Sequence, residues 1–164
     1  MLTALCVSGA AVASHSPSGG GPRDFATGSA KNVLFDVGGP VQLAVSAHGT
    51  GADVTGHVRG TGDFGGEFRV AGHVTCVRVD GNRASIKYRF DQARGSLEDF
   101  EGGGVQVFVE DNRAPDQPDG NSTDFPEPPG VFDALGRDQQ CDDPNTRPYN
   151  PVDSGNYVVH EASP

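Results

Sequence analysis

The chain of 164 residues has no tryptophan, a single methionine, and few leucines and lysines. Helical bundles are built from leucine-rich stripes flanked by lysine and glutamate, so this scarcity argues against one. Cations are also in deficit. Twelve Lys and Arg face 22 Asp and Glu, a formal charge of −10. Nucleic-acid binding begins with cations neutralising phosphates, and that class of partner is therefore not expected. No apolar run approaches the ~20 residues that cross a bilayer as a helix, so the mature chain is expected to carry no membrane span. The nucleophile-elbow pattern G-x-S-x-G is missing too, and with it the usual sequence sign of a serine hydrolase. The glycine runs Gly19–Gly21 and Gly102–Gly104 do not sit between a strand and a helix and do not read as phosphate-binding loops.

Glycine (24) and proline (12) are abundant instead, as in chains made of short strands and turns. Asn32–Val37 is a short apolar run. Val41, Leu43, Val45 and Ala47 then alternate with more polar neighbours, the period of a strand with one buried face. Val54–Arg59 and Glu67–Ala71 read as further strands. In Gly72–Asp80 the apolar phase changes after Cys76, as a β-bulge would cause. Asp80-Gly81-Asn82 reads as a hairpin turn. Ala84, Ile86, Tyr88 and Phe90 share one face, Val105, Val107 and Val109 another, and Gly155–Glu161 closes the pattern. The expectation is an all-β domain over residues 31–164: an antiparallel β-barrel of seven to eight strands, with a β-sandwich as the alternative. Asp111–Pro151 is so dense in proline that it reads as one long Pro/Asp-rich loop without regular strand.

Two segments precede that domain. Residues 1–13 are apolar and small and end in Ala11-Val12-Ala13 before Ser14, which reads as the remnant of an export signal without its positive n-region. Residues 14–30, rich in Ser, Gly and Pro, read as a linker. Removal of the leader takes Cys6 with it and leaves Cys76 and Cys141. An even pair in an oxidising compartment is expected to form a disulfide. The expected location is extracellular or in the cell envelope.

The central stretch Gly72-His-Val-Thr-Cys-Val-Arg-Val-Asp-Gly-Asn-Arg-Ala84 has the form G-x-V-T-C-[LV]-x-V-x-G-N-x-A. It is followed by Val109-Glu-Asp-Asn112, Asp124, Cys141 and Ser154-Gly-Asn-Tyr-Val-Val159. This pattern, from about Val33 to Glu161, resembles a family of small secreted bacterial all-β proteins of unknown function. The resemblance implies an all-β fold, export and a two-cysteine bridge; it supplies no activity and no catalytic residues. Many members of that family read D-N-G with a further Gly at this point, whereas here Arg113-Ala-Pro follows Asn112.

Charge is unevenly placed. Residues 1–90 hold eight basic and six acidic side chains, and residues 91–164 hold four and sixteen. Within the acidic part, Asp111, Asp116, Asp119 and Asp124 supply the oxygen ligands that calcium takes, although their spacing is not that of an EF-hand. No cofactor other than calcium is indicated. Of the histidines, His57 and His73 fall where adjacent strands would bring them face to face, yet no zinc-site spacing accompanies them. Asn121-Ser122-Thr123 matches the glycosylation sequon and reads as a surface loop. The expected function is a secreted, non-enzymatic module for an extracellular ligand, glycan or protein. The alternatives are a small barrel enzyme of isomerase or cyclase type acting on a hydrophobic substrate, and a structural unit of the cell surface. A packed or hollow interior separates the first two.

Overall fold

The structure is a computed structural model and describes residues 23–34, 39–114 and 116–162. The leader, most of the linker and the end of the Asn32–Val37 run lie outside the described residues. The strands are β1 (Phe25–Leu34), β2 (Gly39–Thr50), β3 (Asp53–Asp63), β4 (Glu67–Asp80), β5 (Arg83–Gly95), β6 (Gly104–Glu110), β7 (Gly120–Thr123), β8 (Asn150–Pro151) and β9 (Ser154–His160). All nine belong to one antiparallel sheet in the order β8-β7-β6-β5-β4-β3-β2-β1-β9. Among the described residues strand accounts for 61% and helix for 11%, which makes the domain all-β, and a single sheet curled into a half-barrel replaces the sandwich alternative.

Alternation builds the curl. Along β2, Val41, Leu43, Val45 and Ala47 are buried inside while Gln42, Ser46 and His48 face out. Ala84, Ile86, Tyr88 and Phe90 of β5 and Val105, Val107 and Val109 of β6 join them in one core. The register of β4 on β5 slips between Val74 and Cys76. The bulge keeps Val74 and Val77 in the core. It leaves Cys76, also buried, outside that cluster and bonded to Cys141. Gly81-Asn82 links β4 to β5, with Gly81 at φ +62°. That left-handed first position suits a type II′ hairpin and favours glycine.

Three expectations are corrected. Strand β1 begins at Phe25, so Phe25–Ala30, assigned by composition to the linker, is paired with both β2 and β9. Its Ser, Gly and Thr content hid a strand whose inward residues, Ala26 and Ala30, are small. Second, the Pro-rich segment contains β7 and β8, raising the count to nine. Pro151 lies in β8, the edge strand, where a missing N–H costs no interior ladder bond. Third, Asn121 is not on a surface loop. It lies in β7 with no exposed area.

The two ends of the sheet meet. β8 and β9 occupy opposite ends of the strand order, yet only Val152 and Asp153 separate them. Val152 N–H donates to the Asp119 carbonyl (2.9 Å) and Asp153 N–H to the Lys31 carbonyl (2.8 Å). Carboxylates then cap the outer edge of β9. Asp119 accepts from Tyr157 N–H at 2.6 Å and Asp111 from Val159 N–H at 3.2 Å. Arg113 donates to the Val159 carbonyl at 2.7 Å. Arg113 has φ +54°, the left-handed conformation that glycine adopts most readily. An edge whose N–H groups are already occupied is a poor template for strand addition.

Candidate functional site

The outward face of β4, β5 and β6 is covered. Ser85 and Lys87 point away from the core and are nevertheless buried, as are Gln106 and Phe108 on β6. Their cover is residues 124–149, which contain a short helix α1 (Pro129–Phe132) and 3-10 turns at Ala134–Gln139 and Pro144–Thr146. The Cys76–Cys141 disulfide pins it to the sheet with Cα atoms 5.8 Å apart. Polar side chains of the sheet bond to its backbone: Thr75 to the Asp138 carbonyl, Ser85 to that of Asp142 (2.6 Å) and Lys87 to that of Arg137 (2.7 Å). Phe132 seats over Gly104, where an added Cβ would lie 2.5 Å from the ring. The uneven charge of the sequence finds its use here. Arg78 pairs with Asp143 (3.0 Å), and Arg89 with Asp133 and Asp138.

Two recesses adjoin where this cap meets the barrel mouth. The first lies inside the curl and has a volume of about 60 Å³. Val41, Leu43, Phe68, Val70 and Tyr88 wall it. Phe64 and Phe125 stand near its rim with ring centroids 6.2 Å apart, and Phe125 is 65% exposed. Tyr88 is buried, its ring set edge-on to that of Phe90. The second recess lies under the cap, has a volume of about 100 Å³, and is polar: Lys87, Gln106, Asp124, Glu127 and Asp142 line it beside Phe125. Val105 and Asp124 belong to both. Asp124 is ion-paired with Arg147. Burial, and to a lesser degree the neighbouring Asp142, hold its carboxyl above the usual range against the pull of Arg147 and Lys87.

The four aspartates proposed as calcium ligands are dispersed. Asp111 and Asp119 hold β9, Asp124 stands at the mouth, and Asp116 is exposed. Among the described residues no group of three or more His, Cys, Asp or Glu is placed to hold a metal ion. Asp138, Asp142 and Asp143 are acidic residues that the cap brings onto the face of Cys76. His57 and His73 do stand opposite each other on β3 and β4, exposed, with His73 Nδ1 2.6 Å from Asp91. Lys87 and Gln106 were missed by sequence reasoning, because alternation assigns them to solvent. The available signal was Cys76 itself: a bridge from that strand to the distant loop has to bring cover onto the same face.

All three tyrosines of the chain hold their protons unusually tightly. Burial pushes Tyr157 up to about 12, opposed in part by its bond from Asn121, and raises Tyr88 and Tyr149 in the same direction. An acid whose folded pKa lies above its unfolded value near 10 favours the folded state fully below that value, and its contribution is lost as pH climbs toward the folded value. For Tyr157 alone the loss between pH ~10 and ~12 is about 3 kcal/mol. Spectrophotometric titration is expected to show almost no phenolate at pH ~10.5 in the folded protein, then a steep rise coincident with loss of the β circular-dichroism signal. Independent titration of folded tyrosines near pH 10 would contradict the burial of these hydroxyls.

Comparison with protein-family models, with curated proteins and with solved structures finds no match. The class is therefore defined by the structure itself: an antiparallel half-barrel with a disulfide-held cap over one outer face, and adjoining apolar and polar recesses at its mouth.

Proposed function

We propose that this chain is an exported, non-enzymatic binding module that takes its ligand at the barrel mouth. The observation that carries the reading is the pair of recesses sharing Val105 and Asp124, one apolar and one polar, beneath an exposed aromatic ring. Ligand sites combine apolar walls with a few directed polar groups in this way. The disulfide and the Ala11-Val12-Ala13 leader support export. The isomerase or cyclase reading needs an interior that encloses its substrate. Here core side chains fill the curl, and the space left, about 60 Å³, admits the end of a ligand and falls far short of the ~300–1,000 Å³ of enclosing pockets. The surface-assembly reading is weakened by the capped edge of β9.

The test is a proton–nitrogen correlation spectrum recorded with benzyl alcohol, indole, hexanol and octanoate in turn. At least one is expected to shift the amides of Leu43, Val105 and Asp124 and to be recovered chemically unchanged. Spectra indifferent to all four at millimolar concentration would remove the binding reading. Conversion of a fragment would replace it with an enzymatic one.

A further inference from the structure

We infer that the polar recess beside Phe125 binds a neutral saccharide, an inference that rests on the mouth being the binding site. The unused hydrogen-bonding capacity of its wall is the starting point. Gln106 is 3% exposed and its amide nitrogen has no partner. Lys87 has one hydrogen bond, to the Arg137 carbonyl, and so retains two further N–H donors. The Asp142 carboxylate has no hydrogen-bond partner among the described residues, and one oxygen of Asp124 is similarly free beside its pair with Arg147. Donors and acceptors thus line the same small space.

Charge selects the ligand class. Lys87, Arg137 and Arg147 stand against Asp124, Glu127 and Asp142 around the recess, so the wall is close to neutral. An anion would leave Asp124 and Asp142 facing like charge, and a cation would do the same to Lys87. A hydroxyl accepts from Lys87 or Gln106 and donates to a carboxylate at once, so vicinal hydroxyls satisfy both kinds of wall group. A polar space of about 100 Å³ holds roughly three waters in the free protein, and hydroxyls that reproduce their hydrogen bonds displace them with little loss. Phe125, 65% exposed and part of the same lining, offers a flat apolar face to the C–H side of a sugar ring. The recess takes one edge of such a ring while its face rests on Phe125, and the rest of the chain runs out over the rim.

The experiment is titration calorimetry and amide-shift mapping with cellohexaose, laminarihexaose, xylohexaose and mannohexaose, with inorganic phosphate and spermidine as charged controls. At least one hexasaccharide is expected to bind, with shifts at Lys87, Gln106 and Phe125. Phe125→Ala and Asp142→Asn, both at exposed positions, should each weaken it by about tenfold, the size of effect that loss of one good contact produces, with the melting temperature unchanged. Binding that both variants leave intact, or binding of phosphate or spermidine in place of saccharide, overturns the inference. If no saccharide binds while the apolar fragments still shift Leu43 and Val105, the saccharide inference fails and the binding module stands; if neither binds, both fail.

Discussion

Replacing Cys76 with serine is expected to lower the melting temperature by roughly 8–16 °C. The bridge joins residues 65 apart. Tying a chain of that length removes entropy from the unfolded state worth about 4 kcal/mol at room temperature, and each kcal/mol moves the midpoint of a domain this size by roughly 2–4 °C. Cys141→Ser should match Cys76→Ser, and the double variant should add little, because one bond is lost in each case. The loss is not only global. Without the bond, the cap is held by Ser85, Lys87 and the Arg78 and Arg89 ion pairs. Several of those partners are partly exposed, and such pairs contribute little each. The cap should therefore open before the sheet does, and limited trypsin should cut first at Arg137. Calorimetry together with mapping of the first tryptic cut checks both parts. A shift under roughly 3 °C would mean that the cap is held by its polar contacts and not by the bridge.

Much of the sheet was legible because one of its faces is apolar. The alternation in β2 and β5 identified strands and inward residues alike, and the phase change at Cys76 located a bulge that the β4–β5 register contains. The cysteine pair was legible for a different reason: with the leader set aside, Cys76 and Cys141 are an even pair, and they are bonded. What escaped was structure held by hydrogen bonds. Gly120-Asn121-Ser122-Thr123 has no apolar residue and so no periodicity to read, yet it pairs with both β6 and β8. The role of two acidic residues in the fold was hidden in a similar way. Asp111 and Asp119 were read as calcium ligands because carboxylates serve calcium sites and backbone N–H capping alike, and the fold shows both accepting from N–H groups of β9. The polar recess was hidden by its cover, as Lys87 and Gln106 alternate with apolar residues just as solvent-facing side chains do.

Removing the Asn121 side chain should be as damaging as removing the bridge, though nothing in the sequence around it is apolar. Asn32 of β1 donates to Asn121 Oδ1 at 2.5 Å, Asn121 donates to the Tyr157 hydroxyl at 3.0 Å, and that hydroxyl donates to the Leu43 carbonyl at 3.3 Å. Asn32, Asn121 and Tyr157 are each no more than 1% exposed. The chain of bonds therefore joins β7, near one end of the sheet, to β9, β1 and β2 at the other, across the gap that no backbone ladder spans. Asn32 Oδ1 already lacks a partner. Asn121→Ala would strip Asn32 Nδ2 of its acceptor as well and leave Tyr157 without its donor. A buried polar group left unsatisfied costs ~1–3 kcal/mol, and a small cavity adds to that, so a loss of about 3–5 kcal/mol is expected. Asn32→Ala alone should cost less, because it removes an amide whose oxygen was unpaired from the start, and the pair of substitutions should fall well short of the sum of the two. Denaturant unfolding of the two single variants and the double variant supplies the cycle. Strict additivity would mean that the ends of the half-barrel are joined by Asp111, Asp119, Arg113 and the Val152 and Asp153 backbone bonds, and that the buried amides only fill space.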